Sequence, residues 1–197
     1  MLEEEITREY GNEVPVTKKT RVEALFPEND WVSAYHFSRL KGLSTESRSF
    51  NFKLLHQLIP TNERLSQFLP NTRPECTLCR ADVPESLVHA LFTCEKNSEA
   101  AEALLQLTRP YDPRITAERA LLFNLTVSDP IYELPAVLVL YSGLFYISKN
   151  RSNKKGTAVY QIRAEIECLI SLLRRSRRRL LREAGDIINN TMTNFPI

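Results

Sequence analysis

The chain has 197 residues, 43% of them hydrophobic, which is enough to bury one substantial core or two small ones, so we expect one to two domains. Lys and Arg number 26 against 24 for Asp and Glu, and a formal net charge of +2 points to no partner by itself. The composition excludes a secreted domain built on disulfides, because three of the four cysteines cluster and the fourth stands alone far downstream.

Residues 1–28 carry scattered charges and prolines and show no apolar period, so we expect an acidic leader without fixed structure. Acids also stand where a secretory signal needs positive charge, which predicts an intracellular chain. The longest apolar stretch, Leu134 to Ile147, contains Pro, Ser and Gly and is shorter than the roughly 20 residues that cross a bilayer. We expect a buried helix there and no membrane partner.

Three helices are predicted between the leader and the cysteine cluster. Asn29 or Asp30 can cap the first, which Gly42 ends. Ser44 can cap the second, Pro60 separates it from the third, and Thr61 can cap the third. His36 and His56 fall in these helices without cysteine neighbours, so we interpret them as ordinary helix residues.

Residues 76–94 read CTLCRADVPESLVHALFTC and hold four side chains at metal-ligand spacing. Cys76 and Cys79 lie on a tight turn from which both sulfurs can reach one tetrahedral centre, and His89 and Cys94 supply the other two ligands. Three thiolates and one imidazole leave no open position for a catalytic water. We therefore predict one Zn²⁺ with a structural role.

The local structure predicted for the second ligand pair is a short helix from Asp82 or Pro84 to Phe92, with His89 near its middle and Cys94 at its end. Two other interpretations of the cluster are a redox pair and a chance grouping of small buried side chains. A redox pair needs a surrounding βαβ pattern, which the sequence lacks, and the added His and Cys argue against chance.

Further helices follow the cluster. Asn97 or Ser98 can begin a short amphipathic helix and Thr116 a second, and the pair Asp129–Pro130 opens the apolar helix, which ends near Lys149. From residue 157 to residue 189 there is no Pro and a single Gly, which predicts one long helix. Its apolar residues recur at steps of three, four or seven: Ile162, Ile166, Leu169, Leu173, Leu180, Ala184 and Ile187.

The long helix contains the string RRSRRRLLR at residues 174–182. At 100° per residue, five arginines fall on one broad face opposite the apolar stripe: Arg174, Arg175, Arg178, Arg179 and Arg182. This face suits phosphate contact, a solvated helix surface or a nuclear import signal. Cys168, near the edge of the stripe, is predicted to be a buried thiol.

No segment alternates apolar and polar residues long enough for a strand. The predicted fold class is all-α: a helical domain with one structural zinc loop and a long basic C-terminal helix. We divide the chain into the leader at 1–28, a helical zinc-binding domain at 29–150, and the basic helix and tail at 151–197.

The segment from Phe50 to Cys94 resembles the zinc-binding domain that follows the polymerase in non-LTR retrotransposon reverse transcriptases. In that family a Lys-Leu-x-His helix and a Pro-Thr-x-x-Arg-Leu turn precede a CCHC cluster, with Glu before the His and Leu-Phe between His and Cys. Here these are Lys53 to His56, Pro60 to Leu65, Glu85 and the pair Leu91-Phe92. The later VLVLYSGLFYISKNR looks like the family's apolar helix, which ends in an Arg-Asn or Asn-Arg pair.

The resemblance implies association with RNA template or target DNA during target-primed reverse transcription. It does not imply polymerisation, because the family's aromatic-x-Asp-Asp turn is missing and the aspartates here are far apart. Related elements carry a nuclease after the cluster, but the string RPYDP around Asp112 has Tyr between Pro and Asp and no Lys partner. We therefore do not expect an enzyme.

The leading hypothesis is a nucleic-acid-binding zinc module of nuclear location, with RNA or DNA as partner. The alternative is a zinc-stapled structural or protein-interaction domain without nucleic-acid binding, whose C-terminal helix docks a protein. The two differ in whether the arginine face is free or covered by Glu165, Glu167 and the acidic leader. A residual nuclease is the third hypothesis.

Overall fold

A computed structural model describes residues 26–38, 44–127 and 129–194. Within these ranges the chain is helical, with one isolated β-bridge, so the predicted all-α class is confirmed. The α-helices are α1 (Trp31–Ser38), α2 (Thr45–Leu55), α3 (Asn62–Ser66), α4 (Ser98–Thr108), α5 (Ala117–Leu121), α6 (Glu133–Ser152), α7 (Val159–Arg174) and α8 (Arg179–Asn194). The predictions for residues 1–25 and for Gly42 lie outside the described residues.

Side-chain caps begin several helices where the sequence predicts them. Ser44, Thr61 and Thr116 each accept a hydrogen bond from the backbone N–H three residues later. Asp129 accepts one from Ile131 and begins the 3-10 turn that leads into α6. Each cap satisfies an N–H that the first helical turn leaves without a backbone partner.

The apolar helix α6 is the centre of the core. It is buried over most of its length and packs against α2, α4, α7 and α8. Tyr141 stacks on Phe123 with ring centroids 3.8 Å apart and donates its hydroxyl to the carbonyl of Ala120. Among the described helices, Pro130–Ser152 alone has the length and composition to cross a membrane, and 67% of its apolar window is buried inside the protein, as in a core helix.

The prediction of one long C-terminal helix is wrong. The chain turns after Arg174, and α8 begins at Arg179 and folds back on α7. Asp186 of α8 accepts a hydrogen bond from Arg174, and a Cβ built on Gly185 would lie 3.0 Å from the Cβ of Leu173. The C-terminal region is therefore a two-helix hairpin that packs on α6.

Burial of apolar side chains explains why this region forms a hairpin rather than a single helix. A straight helix over residues 157–189 would be about 50 Å long and would extend past the core. Two shorter helices can both bury their apolar stripes, and the turn falls where repeated arginines disfavour helix continuation. Two side-chain predictions are also wrong. Leu180 is 64% exposed, and Cys168 is exposed rather than buried.

Candidate metal centre

The first two predicted ligands, Cys76 and Cys79, lie on a short antiparallel ribbon formed by residues 74–85. The backbone N–H of Cys76 donates to the carbonyl of Val83 at 3.0 Å, next to the bridge between Glu75 and Pro84. Backbone N–H groups of Leu78, Cys79 and Ala81 favour the thiolate forms of Cys76 and Cys79 and so oppose the rise in pKa that burial causes. The loop therefore holds two sulfurs side by side.

The second ligand pair lies on a π-helical turn, His89–Thr93. Helical structure begins at Leu87 rather than at the predicted Asp82 or Pro84, because the ribbon continues until the N–H of Glu85 bonds the carbonyl of Pro74. The N–H of Cys94 donates to the carbonyl of His89 at 2.8 Å, and this wider turn places both ligand side chains toward the ribbon.

The four predicted ligands meet at one point. Their ligand atoms all lie within 4.8 Å of one another. The Sγ atoms of Cys76 and Cys94 are 3.9 Å apart, and the Sγ of Cys79 is 3.5 Å from the Nε2 of His89. A zinc tetrahedron with Zn–S bonds of about 2.3 Å has S–S edges of about 3.8 Å. The cluster therefore has the size and the donor set for one zinc ion.

The orientation of the His89 ring also suits a metal. Its Nε2 faces the Sγ of Cys79, while its Nδ1 lies 3.5 Å from the hydroxyl of Thr93. If Nδ1 keeps the proton and donates it to Thr93, Nε2 is left as a lone-pair donor for the ion.

The three thiols of the cluster differ in pKa because they differ in burial and in hydrogen bonding. Burial raises the pKa of Cys94 to about 12, and the charges of the other two thiols add to that effect. Burial also raises the pKa of Cys76, whereas at Cys79 hydrogen bonds from Ala81 and from the neighbouring thiols outweigh burial and lower the pKa. A divalent cation offsets the crowded negative charge, and binding it displaces protons from the thiols with raised pKa.

A buried ion pair between Glu85 and Arg151 packs against the ligand cluster. The guanidinium of Arg151 donates two hydrogen bonds to the Glu85 carboxylate, at 3.0 Å and 2.6 Å. The same carboxylate accepts the N–H of Asn62 at 2.8 Å and lies 3.8 Å from the sulfur of Cys76. This ion pair joins the beginning of α3, the end of α6 and the zinc loop, which is the segment from Cys76 to Cys94. The two residues are both in motifs quoted above, but nothing in the sequence pairs them, since they are 66 residues apart.

Asn97 makes a second connection that no pattern in the sequence predicts. Its side chain is fully buried, donates to the carbonyl of Ala90 and accepts the N–H of Thr157, both at 3.0 Å. Gly156 allows the close approach, because a Cβ there would lie 2.8 Å from the carbonyl oxygen of Lys96. The loop after α6 is therefore fastened to the segment that carries Cys94.

The predicted arginine face is divided by the hairpin. Arg174 pairs with Asp186 at 2.8 Å, and Arg179 pairs with Glu183 at 2.6 Å. Arg182 donates to the carbonyl of Ser176 at 2.9 Å. The remaining two, Arg175 and Arg178, lie exposed in the turn together with Arg177, which the helical projection did not select. The three turn arginines are called the arginine turn below.

Asp112, the acid of the nuclease-like string, has a structural position. It is fully buried, pairs with Arg119 at 3.3 Å and accepts the N–H groups of Arg114 and Thr126. A carboxylate satisfied in this way holds the loop around α5, and its oxygens are engaged within the fold.

The comparisons with known proteins agree with the site. The family model described as zinc-binding in reverse transcriptase matches residues 19–100, a segment that includes all four ligands. Neither the curated proteins nor the solved structures contain a match to the chain. Residues 19–100 are therefore similar to the zinc-binding domain of reverse transcriptases, and Cys76, Cys79, His89 and Cys94 are placed to hold one metal ion.

Proposed function

We propose that this chain is a nucleic-acid-binding module, in which a structural zinc holds the domain together and the arginine turn contacts phosphates. The family description supports the proposal, because reverse transcriptases act on nucleic acid and this domain is named for its place in them. When bound, zinc supplies cross-linking of the loop to the helices, and a closed set of four protein ligands leaves the ion no position for substrate.

The observation that carries the proposal is that the arginine turn is exposed and, in the part of the chain that the structure describes, not engaged in ion pairs. Arg175, Arg177 and Arg178 are exposed, and within the described residues none of them is in an ion pair. Their neighbours Arg174 and Arg179 already have acidic partners. Unpaired guanidinium groups in one turn are suited to bind phosphate oxygens, and they release counterions when they do.

Two further parts of the proposal concern catalysis and location. We propose that the chain acts by binding rather than by chemistry, since the one acid that resembled a nuclease residue, Asp112, is engaged in the fold. We also propose a nuclear location, because an exposed run of arginines is the kind of sequence that nuclear import recognises.

The test compares two triple variants of equal charge. R175Q/R177Q/R178Q removes the arginine turn, while R109Q/R114Q/R163Q removes three exposed arginines from other surfaces. Binding to labelled single-stranded RNA and duplex DNA is measured against salt. For three phosphate contacts, log affinity should fall with log salt with a slope of about −2.7 on duplex and about −2 on single strands.

We expect the turn variant to lose most of this slope and the control variant to keep it, with zinc content and melting temperature unchanged in both. Equal loss in both variants would mean that net charge alone attracts nucleic acid. Absence of binding by the wild-type chain at low salt would refute the proposal.

A second candidate function, docking of a protein partner, is favoured by two leucines beside the arginine turn. Leu172 and Leu180 are 63% and 64% exposed on either side of the hairpin turn. If this surface binds a protein instead, L172S/L180S should abolish that binding, while the glutamine variant of the arginine turn should leave nucleic-acid affinity unaltered.

A further inference from the structure

Four rings form a row across α1 and α2. The centroids of Trp31 and Tyr35 are 6.1 Å apart, those of Tyr35 and His56 are 5.8 Å apart, and those of His56 and Phe52 are 4.4 Å apart. All three neighbouring pairs are tilted rather than parallel, at 40–49°. The row therefore brings together aromatic side chains from two helices that are separated in the sequence.

The two ends of the row differ in burial. Trp31 and Tyr35 pack against the hydrophobic core with part of their surface. Phe52 at the other end is 49% exposed and does not belong to the core. The buried face of α2 is supplied by other residues, Phe50, Leu54 and Leu55. Core packing therefore does not account for Phe52.

Positive charge flanks the exposed end of the row. Arg48 lies one helical turn before Phe52 on the same face of α2, and Lys53 follows Phe52 directly. Both are exposed, and within the part of the chain that the structure describes neither is in an ion pair. Glu46, the one acid of α2, lies about 120° around the helix from Phe52.

We propose that Phe52 and His56, flanked by Arg48 and Lys53, form a stacking platform for the unpaired bases of single-stranded nucleic acid. Every base has an apolar face that stacks on an aromatic ring, and a guanidinium or ammonium beside the ring can meet the phosphate of the same nucleotide. A duplex hides its base faces, so the platform distinguishes single strands. This inference rests on the proposed function and adds a base-contacting surface to the phosphate-contacting arginine turn.

The test uses two labelled single strands with the same number of phosphates, one normal and one built of abasic nucleotides. The wild-type chain should bind the normal strand about tenfold more tightly than the abasic strand, because only the normal strand can stack. F52A should bind both strands equally. F52W should restore the preference, since it keeps an aromatic face.

F68A is the matched control, because Phe68 is also an exposed phenylalanine, at 70%, and lies outside the row of rings. It should keep the preference for the normal strand. If F52A keeps the preference too, or if F68A loses it equally, the platform is refuted. The glutamine variant of the arginine turn should weaken binding to both strands while preserving their ratio. If the wild-type chain binds neither strand, the proposed function fails together with the platform.

Discussion

The residue with the widest structural role outside the ligands is Glu85. Its carboxylate lies beside the sulfur of Cys76, in a site where three thiolates and one zinc carry a net negative charge. Arg151 offsets that charge, and both side chains are nearly removed from solvent, at 3% and 11% exposure. Loss of either partner leaves an uncompensated charge in the interior, which is costly.

We expect R151M to lower the free energy of unfolding by about 3–5 kcal/mol, because the Glu85 charge stays buried without its partner. The double variant E85L/R151M should recover part of the loss. The control R163M breaks the exposed pair between Arg163 and Glu167 and should cost at most about 1 kcal/mol. Urea denaturation measures all three, and a loss in R151M no larger than in R163M would contradict the structural role of the pair.

The four ligands could be predicted from the sequence because they are local. They fall within one segment of the chain, and the spacing of three cysteines and one histidine is itself the signal. The contacts of Glu85 with Arg151 and of Asn97 with Thr157 join residues that are 66 and 60 positions apart. Such pairs depend on how α6 packs, and no local pattern encodes them.

Among the helices, the C-terminal hairpin shows where periodicity is ambiguous. The apolar residues of 157–189 keep helical spacing across the turn by way of Leu180, although α8 buries Leu181, Ala184 and Ile188 and leaves Leu180 exposed. The same pattern therefore fits one long helix and two packed helices. Caps and prolines located the beginnings of α2, α3 and α5 and of the turn that leads into α6, but the turn at residues 175–178 contains neither Pro nor Gly.

Substitution of Gly185 distinguishes the hairpin from a single long helix by its effect on the free energy of unfolding. In the hairpin, side-chain atoms at position 185 would meet Leu173 and Arg174, so we expect G185V to destabilise the protein by about 1–3 kcal/mol. In an isolated helix the same change would be neutral or slightly favourable, since Gly is the poorer helix former. Thermal unfolding measures this change in stability, with A164V on the exposed side of α7 as the control. A G185V protein as stable as the wild type would contradict the close packing of the hairpin.

For the whole molecule, the zinc loop and the core helices are one structure. The matched family segment ends at residue 100, yet the ion pair to Arg151 and the hydrogen bonds to Thr157 come from the end of α6 and the loop after it. A metal ion at the four ligands would therefore fix the ribbon, the π-helical turn and, through these contacts, the end of the central helix. Because such binding is coupled to folding, loss of the metal should loosen these contacts.

X-ray absorption at the zinc edge of reduced, natively purified protein tests this arrangement most directly. Cys76, Cys79, His89 and Cys94 predict one zinc per chain with three sulfurs at about 2.3 Å and one nitrogen at about 2.0–2.1 Å. H89A should replace the nitrogen of His89 or lose the ion. Protein without stoichiometric zinc, or a wild-type shell with an oxygen or with fewer than three sulfurs, would contradict a closed structural site.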